Sequence, residues 1–346
     1  MSKKRILSNW SNFFEQRGIP EDIREIYLRY IKKLLVKDVP IIFDFNHLSK
    51  LVGRQQWYLA SVVNNTSSHY RTFNLKKRSG GFREISVPYP ALLGVQYWVY
   101  KNILQKIPIN NSSHGFAKNK SIITNSKIHL GQSNLLKMDL KDFFPSIHLA
   151  RVIKVFKALG YTTKVSYYLA SVCCINDCLP QGAPTSPILS NIISFDLDRR
   201  LYLFAKKFNL KYSRYADDLT FSGENINVKM IHYISEIIVS EGFIVNDKKT
   251  RLHKESAKRI VTGISVAGSE LKLPKKYKRD LKQELYYINK YGIHSHVSSV
   301  NIKHTNYIDV LIGKLNFWLS VEPGDEFVVE QLKMLYSIKY PESIPK

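Results

Sequence analysis

The chain predicts an α+β fold: a small antiparallel sheet with helices on one face, and helical segments before and after it. Three observations lead there. Short apolar strands each stop at a carboxylate or a turn, as in Leu135-Leu136-Lys137-Met138-Asp139 and Tyr212 through Phe221. Helical stretches near 149–159 and 187–207 lie between them, giving the order strand, helix, strand-hairpin, helix, strand. The two ends of the chain carry helical periodicity instead. With 346 residues, 44% of them hydrophobic and 21 Tyr and 17 Phe among them, the chain has enough apolar surface to fold. Two or three subdomains sharing one cleft are expected.

Residues 1–70 read as helical. Pro20-Glu21-Asp22 opens a segment in which Ile23, Ile26, Tyr27, Tyr30, Ile31 and Leu34 recur at helical spacing. Leu75 through Ile85 reads as a basic hairpin whose Gly80 and Gly81 supply the positive φ of a tight turn. Pro88 and Pro90 close it, and a helix over about 92–105 follows. Between 251 and 290, eleven Lys/Arg face four Asp/Glu, a basic segment suited to clamping nucleic acid. No internal repeat or low-complexity tract interrupts this order.

Charge names the class of partner. Lys and Arg outnumber Asp and Glu by 52 to 28, a formal +24, and such a field concentrates polyanions. Basic residues spread along the chain and interleaved with aromatics favour nucleic acid over an anionic membrane. Trp10-Ser11-Asn12 falls where a signal peptide needs apolar residues, and no run approaches the ~18 apolar residues of a membrane span. A cytoplasmic protein without membrane contact is therefore expected. Cys173, Cys174 and Cys178 lack the spaced pairs and His partners of a zinc site and read as reduced core thiols.

The adjacent aspartates of Tyr215-Ala216-Asp217-Asp218 sit inside an otherwise apolar hairpin. Two like charges so close repel and raise each other's pKa unless a cation intervenes. An isolated pair of this kind reads first as a solvated turn. Asp139, which ends a strand able to lie beside the hairpin, changes that reading. Three convergent carboxylates suit a hard divalent ion such as Mg²⁺. They could hold two ions about 4 Å apart, the arrangement for in-line phosphoryl transfer.

Three ordered segments now carry a resemblance: Asp139 through Ser146 (DLKDFFPS), Leu179 through Pro187 (LPQGAPTSP), and Tyr215 through Asp218 (YADD). They resemble the palm motifs of reverse transcriptases, over roughly residues 73–320. The resemblance implies a right-hand polymerase fold. Residues 1–70 would form an N-terminal helical region, 71–137 the fingers, 138–270 the ferredoxin-like palm and 271–346 a basic helical thumb. It also implies metal ligation by Asp139, Asp217 and Asp218, with the Leu140 carbonyl as an additional ligand and two Mg²⁺ ions as cofactor, Mn²⁺ substituting. Asp142 stays outside this set and reads as a helix cap.

By the same resemblance Phe144 would lie under the incoming sugar as a steric gate, with Phe143 in the core. Arg83 would grip the triphosphate of a dNTP with Lys77 or Lys76 adding charge, Gln181 would open a small-residue turn against nucleotide or template, and Lys249 would protonate the departing pyrophosphate. Asn125-Ser126-Lys127-Ile128-His129 and Val261-Thr262-Gly263 are similar to retron segments, with Ser126 where Ala is usual, and Cys173-Cys174 agrees. Asn125, His129, Val261, Thr262 and Gly263 thus become candidate RNA contacts. The absence of RNase H, protease, integrase or endonuclease segments also points to a compact prokaryotic enzyme.

A retron enzyme would copy a structured noncoding RNA, template and primer in one, into a branched RNA-DNA hybrid started at an internal guanosine 2′-OH. A phage-defence effector protein is implied as partner. The alternatives are another prokaryotic reverse transcriptase, of group II intron or phage-defence type, and a nonenzymatic RNA-binding scaffold.

Overall fold

The computed structural model describes residues 2–77, 80–302 and 306–340. Its N-terminal region is helical: Lys3–Gln16, capped by Ser2, then Glu21–Val36, Phe45–Leu51, capped by Asp44, and Gln56–Asn64. The apolar stripe expected on the second helix is narrower than its spacing suggests. Ile31 and Leu34 are fully buried, whereas Ile23 and Ile26 are 41% and 62% exposed. The core meets only the last turns of that helix, where Leu34 joins Val39, Ile42 and Leu48.

The strands of the basic hairpin form, β1 (Tyr70–Lys76) pairing antiparallel with β2 (Phe82–Pro88) in the register Lys76↔Phe82 and Leu75↔Arg83; Arg78 and Ser79 at its tip lie outside the described residues. Gly80 and Gly81 take φ +89° and +75°, and Lys77 N donates to the Gly81 carbonyl at 2.9 Å. The helix Pro90–Asn102 follows with proline in its first turn, where the missing N–H costs nothing.

Four antiparallel strands make the central sheet: β3 (Asn134–Asp139), β4 (Lys211–Tyr215), β5 (Asp218–Gly223) and β6 (Arg251–His253), in the order β4-β5-β3-β6. Alternation along the strands divides their side chains. Leu136 and Met138 of β3, with Tyr212 and Phe221, join one core with Val152, Phe156, Leu197, Leu201, Ile234 and Ile238 from the helices Leu149–Ala158, Phe195–Lys207 and Val228–Ser240. Leu135 belongs to a second core. The stretch 187–207 is two helices, Ser186–Ile193 and Phe195–Lys207, which meet at Ser194.

That second core gathers the short hairpin β7 (Ile260–Val261) and β8 (Ile264–Ser265) with the C-terminal helices. Val261 and Ile264 pack with Leu285, Leu315, Trp318 and Leu335 of Lys275–Tyr291, Tyr307–Val321 and Glu326–Lys339. Cys173 and Cys174 are buried and all three thiols are free.

Candidate active site

Register brings the acidic residues together. In the β3–β5 ladder Asp139 is the direct partner of Asp218, and Asp217 lies in the tight turn between β4 and β5, where Ala216 takes φ +57°. Asp139 and Asp217 border a cleft of about 610 Å³ whose walls also include Lys77 and Arg83 from the hairpin, residues 140–145, Gln181, Ala216, Asn246 and Lys249. A larger recess of about 760 Å³ in the N-terminal region is lined by Lys50, Arg54 and Trp57. It holds no carboxylate, so the chemistry belongs to the smaller cleft.

Asp139 is only 6% exposed and fully engaged. Lys249 Nζ donates to its Oδ1 at 2.8 Å, Asn246 Nδ2 to its Oδ2 at 3.0 Å, and Asn246 N to its carbonyl at 2.8 Å. The hydrogen bond to Asp139, and then the surrounding carboxylates, raise the pKa of Lys249. Burial raises Asp217, with Asp139 adding to the effect and Lys249 and Arg83 opposing it. Burial and the charge of Asp217 push Asp218 up to about 6. Among the described residues no three His, Cys, Asp or Glu side chains already share one cation position, and the Asp139 carboxylate is bonded to Lys249. The donor set nevertheless fits a divalent ion: hard oxygens from three half-buried or buried aspartates whose mutual repulsion a cation would relieve.

The other expected residues divide. Leu140 is buried in a bridge to Val245, and its N–H donates to the Asp217 carbonyl at 3.0 Å. Phe143 packs into the core, its ring 5.7 Å from that of Phe243, while Phe144 is half-buried on the cleft wall. Lys77, and not Lys76, borders the cleft with Arg83. Asp142 caps no helix: it takes φ +48° in a turn, and the next helix starts at Leu149 with His148 as its cap.

Two further readings need correction. Gly182 makes its close approach to the hairpin, not to open cleft: a Cβ there would stand 2.8 Å from the Ser86 carbonyl, and Ser86 N donates to the Gln181 carbonyl at 2.8 Å. The proposed RNA contacts do come together, but mostly inside the protein. Ser126 Oγ donates to the Val261 carbonyl at 2.9 Å, Thr262 Oγ1 donates to the Ile122 carbonyl at 3.1 Å, and Asn125 Nδ2 reaches Thr262 Oγ1 at 3.5 Å. His129 is fully buried between Ser222 Oγ and Ser213 Oγ, at 2.7 and 2.8 Å, and burial lowers its pKa to about 3. Asn125, His129 and Val261 are therefore buried, Thr262 is half-buried, and Gly263 is exposed.

Sequence reasoning missed Asn246, although it stands three residues before Lys249. It also missed a buried group behind the aspartate turn: Arg214, paired with Asp198 at 2.6 Å, and Asn191. A lone arginine inside an apolar strand next to Tyr215 was the available signal, because a buried guanidinium must find an acid.

With this geometry in place, comparison with known proteins is informative. Residues 75–266 match the family model described as reverse transcriptase (RNA-dependent DNA polymerase). The chain is 34% identical to the retron Ec86 reverse transcriptase of Escherichia coli over 254 residues, covering 72% of this chain and 79% of that protein. This chain belongs to the retron-type reverse transcriptases. To the retron Mx65 enzyme of Myxococcus xanthus the reverse transcriptase is 38% identical, over 57% of itself and 51% of that longer relative. A solved telomerase from Candida albicans, in complex with a TWJ fragment of telomeric RNA, aligns with 83% of the chain and 66% of its own at 11% identity. Its TM-score of 0.45 is too low to support an assignment. The reverse transcriptase thus has the right-hand polymerase fold, is an RNA-directed DNA polymerase of a family that uses divalent metals, and among its described residues has no helix long and apolar enough to cross a membrane.

Proposed function

We propose that this reverse transcriptase copies a structured noncoding RNA into DNA, beginning at the 2′-OH of an internal guanosine of that RNA, so that the product is a branched RNA-DNA hybrid. The observation that carries the polymerase chemistry is the opposition of Asp139 and Asp218 across β3–β5, with Asp217 beside them at the cleft. These three residues, with the Leu140 carbonyl, would hold two Mg²⁺ ions, or Mn²⁺ in their place. Bound there, the metals supply activation of the attacking hydroxyl and neutralisation of charge on the leaving pyrophosphate.

The chain's own residues do the rest. Arg83 offers a planar fork to the triphosphate oxygens and Lys77 a point charge. Phe144 excludes the 2′-OH of a ribonucleotide by bulk, and Gln181 lines the same wall. Lys249, 2.8 Å from Asp139, gives its proton to the pyrophosphate oxygen as the bond to phosphorus breaks. Thr262 and Gly263 form the face offered to the RNA, with Asn125 reaching Thr262 from beneath, Val261 anchoring the hairpin in the core and His129 bracing the central sheet through Ser213 and Ser222. The net charge of +24 supports attraction of RNA. We place the enzyme in the cytoplasm, in a phage-defence system with an effector protein.

The test is to purify the protein with its nucleic acid and sequence it. DNA joined to RNA by a 2′-5′ bond is expected, and its loss in Asp217→Asn with Asp218→Asn. A free-ended cDNA would count against the retron mode of priming, and full synthesis by the double variant would count against the site.

A further inference from the structure

The turn that carries Asp217 and Asp218 is strained and held from behind. Ala216 takes φ +57°, a region that residues other than glycine enter at a cost. Two successive peptide groups are fixed there by different neighbours. The Tyr215–Ala216 peptide lies against Gly115, where a Cβ would stand 2.5 Å from Ala216 N and 3.1 Å from the Tyr215 carbonyl carbon. The next peptide is held by its oxygen: Arg214 Nη1 donates to the Ala216 carbonyl at 3.0 Å.

Arg214 is fully buried. Its Nε and Nη2 donate to the two carboxylate oxygens of Asp198 at 2.8 and 2.6 Å, and Nη1 also donates to Asn191 Oδ1 at 3.1 Å. Asn191 Nδ2 donates in turn to the Gly115 carbonyl at 2.8 Å, and Ser113 Oγ donates to Asn191 Oδ1 at 2.8 Å. Asn191 therefore joins the two clamps on the turn into one unit.

The forked pair of Asp198 with Nε and Nη2 ties the helix Phe195–Lys207 to β4. The Nη1 branch adds nothing to that contact and reaches only the turn and Asn191. Charge is arranged to suit a cation nearby: a bare guanidinium behind the aspartates would oppose a metal, and Asp198 cancels it. Tyr212 OH donates to Asp198 Oδ1 at 2.8 Å without touching the turn.

We propose that Arg214 and Asn191 are positioning residues of the polymerase site, holding the Ala216–Asp217 peptide in the one orientation that lets Asp217 and Asp218 bind metal. This rests on the reading of Asp139, Asp217 and Asp218 as the metal site.

The experiment measures Mn²⁺ binding to the protein free of nucleic acid, by electron paramagnetic resonance, in Arg214→Lys, Asn191→Ala and Tyr212→Phe, with Asp217→Asn/Asp218→Asn as reference. Loss of the Arg214 hydrogen bond to the Ala216 carbonyl in Arg214→Lys, or of the Asn191 bonds that hold Gly115 and Arg214 Nη1 in place in Asn191→Ala, should each weaken Mn²⁺ binding about fivefold. The Leu140 amide, which donates to the Asp217 carbonyl, should then exchange its hydrogen faster. Tyr212→Phe should bind Mn²⁺ as the unaltered protein does. Unchanged Mn²⁺ affinity in Asn191→Ala, with only a lower melting temperature, would make the unit purely structural and overturn the proposal. Asn191→Ala leaves the ion pair intact and so decides the matter even if Arg214→Lys does not fold. If the double aspartate variant also keeps full Mn²⁺ affinity, the metal-site reading is what has failed.

Discussion

Asp139 and Asp218 stand directly opposite one another across the β3–β5 ladder, a pairing of like charges that destabilises a sheet. The protein tolerates it through a substitute cation: Lys249 sits 2.8 Å from Asp139. Among the described residues Asp218 has no comparable ion pair, and burial with the charge of Asp217 pushes its pKa up to about 6.

Stability of the metal-free enzyme should therefore depend on pH through Asp218. Its folded pKa is raised above the ordinary 3.8, so its contribution is fully present below that value and is lost as pH rises through about 6. Asp218→Asn should be more stable than the unaltered protein at pH 7, by about 1–2 kcal/mol once solvent screening is allowed for. The gap should close towards pH 4. Denaturant melts in chelator across this range measure it, and a gap that does not change with pH would refute the assignment.

Lys249→Gln removes both a proton donor and the cation that competes for Asp139. Single-turnover nucleotide incorporation should slow by about 10²-fold or more, while the half-saturating Mg²⁺ concentration falls. A rate within twofold of the unaltered enzyme would exclude the donor role.

Phe144→Ala opens the wall of the cleft where the sugar would lie. Discrimination against ribonucleotides should drop by about 10- to 100-fold, read from the ratio of kcat/KM for dNTP and rNTP. Unchanged discrimination would leave Phe144 as a packing residue.

His129→Ala tests support against contact. Two serine hydroxyls lose their buried partner and a cavity opens, so stability should fall by about 2–4 kcal/mol. RNA affinity measured well below the melting temperature should stay the same; a loss of affinity without a loss of stability would restore His129 as a contact. Since its folded pKa is depressed to about 3, the histidine is neutral in the fold. Its stabilisation is present above the ordinary 6.5 and is lost as pH falls.

The sheet and its carboxylates were legible because strand period and motif order are local signals. Asp139 ends a strand and Asp218 begins one, with Asp217 in the turn before it, and the alternation of those strands is visible in the sequence. What escaped depends on distant partners. Gly182 advertises a close approach, but the partner, Ser86, lies almost a hundred residues earlier, on the β1–β2 hairpin. His129 carries no mark distinguishing a surface imidazole from one enclosed by Ser213 and Ser222. Ile26 has core spacing, yet the neighbouring elements cover only the far end of its helix. Arg214 was passed over because its acid, Asp198, sits on a helix whose facing could not be fixed from periodicity alone.

Ser86 is fastened to the loop of Gln181 and Gly182, and Arg83 lies three residues further along the same strand, about 10 Å towards the tip. The hairpin is thus anchored to the Gln181 loop at Ser86, and Arg83 and Lys77 reach the cleft from beyond that anchor along paired strands.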